Sequence, residues 1–295
     1  MDRLADAGTT IGVIKKFNFS FRKRYGQNFL VDAHVLNRIM DAADIKGSDL
    51  VIEIGPGIGS MTQYLCEKAG EVVAVEIDRD LIPILHETLK DYDNITIIND
   101  DILKTDVKKL IMEHGRGRQV KIVANLPYYI TTPIIMGLLE GRVPVSSITV
   151  MVQKEVAERM QAGPGSKDYG ALSLAVAYYS KPRIAANVPP NCFIPRPKVG
   201  SAVICLDVYD EPVIKVKDEG LLFKIIRAAF NQRRKTLVNS ITNSGELDFS
   251  RQDVTDALKD MGLSETIRGE ALDIGEFAEF TDRLILTSQS AYGKL

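Results

Sequence analysis

The chain has 295 residues, of which 45% are apolar and 26% charged, with a formal net charge of −2. That length buries a large core and predicts two domains, and the composition is that of an ordinary soluble globular protein. A nucleic-acid surface must then come from charge placement, because total charge does not supply one. Three cysteines, Cys66, Cys192 and Cys205, have no C-x-x-C spacing. They fit free thiols in a reducing compartment. No apolar run reaches the roughly 20 residues of a membrane span. The N-terminus has acids at Asp2 and Asp6 and no signal-like segment, so a cytoplasmic location is expected.

Residues 1–14 carry little pattern. Residues 15–24 hold five bases interleaved with Phe17, Phe19 and Phe21 and no acid. Arg22, Lys23 and Arg24 are among those bases, and the segment reads equally as a solvated arm or as an RNA-contacting one. From 32 to 43 the apolar positions have helical spacing, with Asp32 as the N-cap. Residues 50–54 form an apolar run around Glu53 and read as a buried strand. Gly55, Gly57 and Gly59 follow, then a helical pattern from Ser60. Strand, glycine turn and helix in this order place a nucleotide-like ligand at the carboxyl edge of a parallel sheet.

Further β-branched runs lie at 72–77, 95–98, 120–124 and 148–152, with helical patterns between them as at 79–90 and 133–139. The alternation predicts right-handed crossovers and a doubly wound sheet. Residues 170–179 read as a helix, 180–200 as a proline-punctuated loop, and 201–208 as a last strand. Beyond about 217 the pattern is helical only, over 221–239, 251–261 and 274–287. A domain boundary is placed near 210.

Four polar residues keep step with the strands: Glu53, Glu76, Asp101 and Asn125. In a parallel sheet their ends face one crevice. A carboxylate at Glu76 accepts from both ribose hydroxyls, which suits NAD or an adenosyl ligand alike. Asp101, placed to accept from an adenine amino group, and the spacing G-x-G-x-G both favour S-adenosylmethionine. Asn125-Leu126-Pro127-Tyr128 is the reactive candidate. Pro127 biases Leu126 towards an extended backbone, so that the Leu126 carbonyl and the Asn125 side-chain oxygen can grip the two hydrogens of an aryl amine. The competing classes are an NAD-dependent oxidoreductase and an assembly factor that acts by binding.

The motifs Y-G-Q-N-F-L (25–30), E-I-G-P-G-I-G (53–59), V-E-I-D (75–78), N-D-D-I-L (99–103), N-L-P-Y (125–128), F-I-P-R-P-K-V-G-S-A-V (193–203) and A-F-N-Q-R-R-K-T-L (229–237) stand in the sequence. With them the chain resembles the KsgA (RsmA) family of ribosomal RNA adenine dimethyltransferases over nearly its whole length. The resemblance implies an α/β fold, a doubly wound Rossmann-like class I methyltransferase sheet over 25–210. It adds a basic arm over 1–24 and a smaller all-α, RNA-contacting domain over 211–295. It implies transfer of two methyl groups from S-adenosylmethionine to N6 of each of two adjacent adenines in a hairpin loop near the 3′ end of small-subunit rRNA.

Residue by residue, Gln27, Asn28 and Leu30 would close over the methionine part of the cofactor. Glu53, Gly55, Gly57 and Ile77 would line it, Glu76 would hold the ribose, and Asp101 with Ile102 the adenine. Asn125 would meet cofactor and substrate. Asn125 and Leu126 would orient the target amine, and Tyr128 and Phe193 would hold the flipped base between them; without the resemblance Phe193 reads as core.

Residues 183–239 hold ten Lys/Arg against five Asp/Glu, and 240–295 hold five against eleven. Arg196, Lys198, Arg233, Arg234 and Lys235 belong to the basic stretch, the last three on a predicted helix, and are the expected RNA contacts. His34, His86 and His114 share no ligand spacing, so no metal is expected. The expected partner is the small ribosomal subunit and its rRNA, met by a monomer. A large-subunit rRNA methyltransferase of the antibiotic-resistance type shares the fold but usually has isoleucine where Leu126 stands.

Overall fold

The β-branched runs form strands, and the patterned segments between them form helices. A computed structural model describes residues 3–292. In chain order the elements are α1 (Ala7–Lys16), β1 (Phe29–Leu30), α2 (Ala33–Ala43), β2 (Leu50–Ile54), α3 (Ser60–Lys68), β3 (Glu71–Glu76), α4 (Ile82–Thr88), β4 (Ile95–Asn99), α5 (Val107–His114), β5 (Val120–Asn125), α6 (Thr131–Glu140), β6 (Ser147–Gln153), α7 (Lys154–Gln161), α8 (Ala171–Tyr179), β7 (Ser180–Val188), β8 (Phe193–Ile194), β9 (Ser201–Val208), α9 (Glu219–Asn231), α10 (Leu237–Thr242), α11 (Arg251–Asp260) and α12 (Ile274–Tyr292). The chain divides into two compact units, 1–157 with 181–210, and 158–180 with 211–295.

The first unit carries a seven-stranded sheet in the order β4-β3-β2-β5-β6-β9-β7. The pairs β2–β3, β2–β5, β3–β4 and β5–β6 are parallel, and β9 runs antiparallel to β6. Strand order reverses between β2 and β5, so the carboxyl ends of those two strands open a crevice. Every residue of β2 is buried, as expected of a strand covered on both faces. Asp32 caps α2 as the sequence predicts, accepting from the Val35 amide. A separate two-stranded ribbon pairs β1 with β8, Leu30 opposite Phe193.

Three segments differ from the sequence reading. Residues 7–14, read as carrying little pattern, form α1 together with Lys15 and Lys16 of the basic arm, capped by Asp6. Its Val13 and Ile14, with Phe17, Phe19 and Phe21, pack on Leu4, Phe29, Ile58, Leu81 and Ile84, so the phenylalanines of the arm are spent on the fold. Residues 180–188, read as loop, are β7, the last strand in the order; an outer strand tolerates Pro182, which a central one would not. The helix expected over 221–239 is two helices. Thr236 is extended at ψ 156° and caps α10, so Arg233, Arg234 and Lys235 lie in the turn between α9 and α10.

In the second unit α8, α9, α10, α11 and α12 pack together around Leu222, Ile226, Leu237, Val254, Leu258, Phe277 and Phe280. Segment 158–180 belongs here, although the sequence reading placed it with the sheet. Phe223 stacks on Tyr179 and meets Tyr178 edge-on, and Glu219 accepts from the Tyr179 hydroxyl.

Candidate active site

The crevice at the strand reversal is walled by residues 25–30, 55–58 and 125–128 together with Glu53, Ser60, Met61, Glu76, Ile77 and Leu81. The wall is built by backbone geometry first. Gly55 has φ 69° and Gly57 φ 62°, conformations that favour glycine. A Cβ on Gly55 would enter open space, whereas one on Gly57 would lie 3.0 Å from Phe29 Cε1.

The acids supply acceptors. Glu76, ending β3, is 4% exposed. Its Oε1 accepts from Asp78 N at 2.8 Å and its Oε2 from Gly57 N at 3.2 Å. Burial pushes its carboxyl up to about 7, against the pull of those backbone donors. Glu53 is fully buried, and neither oxygen has a hydrogen-bond partner. Burial pushes it up to about 8; the Thr62 hydroxyl opposes this and nearby Glu76 reinforces it, though Thr62 Oγ1 makes no hydrogen bond of ordinary geometry. A buried acceptor without a donor is costly. Ile77 is 43% exposed and offers apolar surface beside Glu76. Orphaned acceptors, a glycine cradle and an apolar shelf fit S-adenosylmethionine, with its ammonium, ribose hydroxyls and purine.

Asn125 ends β5, and its Nδ2 donates to the Asn28 carbonyl at 2.9 Å. That bond fixes the amide so that Oδ1 remains as an acceptor. Leu126 is 1% exposed and its amide donates to Met151, which anchors the following turn. Tyr128 is half-buried, and its hydroxyl lies 2.8 Å from Ser201 Oγ; burial raises this phenol.

Several expected site residues stand elsewhere. The Gln27 amide is engaged at both ends, donating to Asp78 and accepting from Arg22 N, so it braces the wall. Asp101 and Ile102 lie outside the crevice wall. Asp101 follows β4, whose Asn99 stands opposite Glu76; it accepts from Leu103 N and meets Lys104 at 3.8 Å. Ile102 lines a second groove with Leu103, Val107, Pro133 and Leu138.

Phe193 is 3% exposed and packs with Leu30, Val35, Met151, Val188 and Val203. Its ring packs in the core and its strand is paired with β1, the place the residue has when read without the resemblance. Arg22 is likewise no free phosphate contact: it pairs with Asp78 at 3.6 Å and with Asp80. Arg233 bonds Glu270 at 2.7 Å and the carbonyls of Ser166 and Lys167, closing the α9–α10 turn onto the rest of its unit. Arg24, Arg196, Lys198, Arg234 and Lys235 are exposed, and the Lys23 side chain lies outside the described residues.

Sequence reasoning missed Tyr25, Met61 and Leu81 in the wall. Tyr25 alone had a signal, its place at the head of Y-G-Q-N-F-L. Among the described residues no group of three His, Cys, Asp or Glu could hold a metal ion, and no helix is long and apolar enough to cross a membrane.

A family profile described as ribosomal RNA adenine dimethylase matches residues 18–283. A ribosomal RNA small subunit methyltransferase A of Lachnoclostridium phytofermentans is 61% identical over 283 residues, covering 96% of this chain and 98% of its own. That of Clostridioides difficile is 50% identical over 278 residues, covering 94% and 96%. Among solved structures, a dimethyladenosine transferase from Plasmodium falciparum has a TM-score of 0.73 at 26% identity, covering 88% of this chain and 98% of that one. The 23S rRNA methyltransferase ErmE shares the fold with a TM-score of 0.68 at 24% identity, covering 88% and 100%. Crevice, motifs and full-length similarity coincide, and the chain belongs to the ribosomal RNA adenine dimethylase family.

Proposed function

We propose that the protein transfers methyl groups from S-adenosylmethionine to N6 of two adjacent adenines in a hairpin loop near the 3′ end of small-subunit rRNA, acting as a monomer in the cytoplasm without a metal. The observation that carries the reading is Asn125, whose Nδ2 is held by Asn28 while its Oδ1 is left as acceptor at the wall of an acid-rich crevice.

The bound cofactor supplies an electrophilic methyl group on a sulfonium. Glu76 would hold the ribose hydroxyls, Ile77 would line the cofactor beside it, and Glu53, Asn28 and Leu30 would enclose the methionine part. Asp101 and Ile102 would meet the purine. An aryl amine is a weak nucleophile because its lone pair is delocalised into the ring. Asn125 Oδ1 and the Leu126 carbonyl accept its two hydrogens, favour a pyramidal nitrogen and turn the lone pair outward. Tyr128 stacks on the extruded base. Catalysis is then alignment and fixed dipoles, with no side chain required to titrate. Arg24, Arg196, Lys198, Arg234 and Lys235 take phosphates, and the helical unit 211–295 contributes the last two.

The test is to incubate unmethylated small subunits and unmethylated large subunits with labelled cofactor and map the modified base. Label at adjacent small-subunit adenines is expected; label confined to the large subunit overturns the assignment.

A further inference from the structure

The mouth of the crevice carries an aromatic group that the transfer itself does not use. Tyr129, directly after N-L-P-Y, is 57% exposed, while Leu126, three residues before it, is 1% exposed. The ring is nonetheless held in place. A Cβ on Gly26 would lie 3.4 Å from Tyr129 Cε1 and 3.4 Å from Pro127 Cβ, so the ring rests against the Gly26 backbone. Gly26 has φ 57°, which suits that close approach. Tyr25, the preceding residue, lines the crevice. Arg24 lies 4.6 Å from the Tyr25 ring centre and donates to its hydroxyl at 2.9 Å. These are the described partners of Arg24, and neither cancels its charge.

A fixed ring with a bare face, a second ring beside it and an uncancelled guanidinium are the means by which proteins hold single-stranded nucleotides. When the target adenine leaves its stack, the next base on the strand also loses a stacking partner and must find another. Resting on the reading above, we propose that Tyr129, with Arg24 and Tyr25 beside it, forms a subsite for the nucleotide adjacent to the flipped adenine, with Tyr129 stacking on its base and Arg24 meeting its phosphate. Holding the neighbour fixes how far the strand advances when the second adenine takes its turn.

The experiment measures methylation kinetics on unmethylated small subunits and cofactor affinity by calorimetry for Tyr129→Phe, Tyr129→Leu, Tyr129→Ala and Arg24→Ala. The ring is what matters, so Tyr129→Phe keeps the wild-type KM for the particle. Tyr129→Leu and Tyr129→Ala raise that KM about tenfold, the size of one base stack, with cofactor Kd unchanged. Arg24→Ala lowers the slope of log affinity against log salt by about one. An unchanged KM in Tyr129→Ala, leucine serving as well as phenylalanine, or a loss of cofactor affinity in step with KM would each overturn the subsite, the last by making Tyr129 a cover for the cofactor. If the wild-type protein fails to label small subunits, the methyltransferase reading falls instead, before any variant is compared.

Discussion

Strand β3 begins at Glu71 and ends at Glu76, and its two carboxylates live under opposite regimes. Glu71 takes His114 Nδ1 at 2.7 Å and Arg118 at 2.8 Å. Burial raises its carboxyl, but the bond to His114 and the charges of His114, Arg118 and Arg116 outweigh it and leave it low. On the same edge of the sheet, Lys121 bonds the carbonyls of Ala43 and Asp44 and meets Asp49 at 3.3 Å. At the other edge Glu76 has only backbone donors, and Glu53 has none. One sheet thus has an edge whose charges are matched inside the protein and an edge whose acceptors wait for a ligand. Unmatched polar groups at a concave edge are the signature of a site.

That contrast can be broken in graded steps. The largest effect is expected at the matched edge: Lys121→Ala strands Asp49, which is 1% exposed, and should cost about 3 kcal/mol in denaturant unfolding while leaving cofactor Kd unchanged. A fall in cofactor affinity without a fall in stability would erase the distinction. At the open edge, Asn125→Ala should lower kcat about a hundredfold with little change in cofactor affinity, as expected for lost alignment and lost dipoles; equal loss of both would contradict the amine-holding role. Glu76→Ala should weaken cofactor binding about tenfold by calorimetry, in line with lost hydrogen bonds to a charged group, with little loss of unfolding stability.

The two regimes also titrate in opposite directions. Glu53 and Glu76 are raised from 4.5 to about 8 and about 7, so each holds its proton more tightly folded than unfolded. Their contribution is fullest below 4.5 and is lost as pH rises through 7 and 8. Glu71 is lowered, so its contribution is present at neutral pH and lost in acid. Glu53→Gln should therefore flatten the fall in Tm between about pH 5 and pH 8, the smallest effect of the four. An unchanged slope would show that Glu53 is ionised in the folded chain.

The open edge was legible because Glu53 lies near the end of a strand run and Glu76 and Asn125 end theirs, so the cadence of the strands places them together. What the sequence could not display is which charges the fold consumes. Arg22 looks like its neighbour Arg24, but Asp78 and Asp80 are brought to Arg22 by a long-range crossover. Arg233 looks like Arg234, but the carbonyls of Ser166 and Lys167 reach it from 66 or 67 residues away. Phe193 shows the complementary limit. Its motif fixes its register against Leu30, yet only packing decides that the ring turns into the core. β7 was lost because Pro182 and alternating charges read as loop until the sheet supplies an outermost position for them.

The return of segment 158–180 to the helical unit has a practical consequence for anyone dissecting the chain. Truncation after 210 does not excise a domain, because it leaves α8 behind without Phe223 and Glu219, and so with the aromatic faces of Tyr178 and Tyr179 stripped of their cover. A fragment designed to keep the sheet alone has to lose 158–180 as well as 211–295.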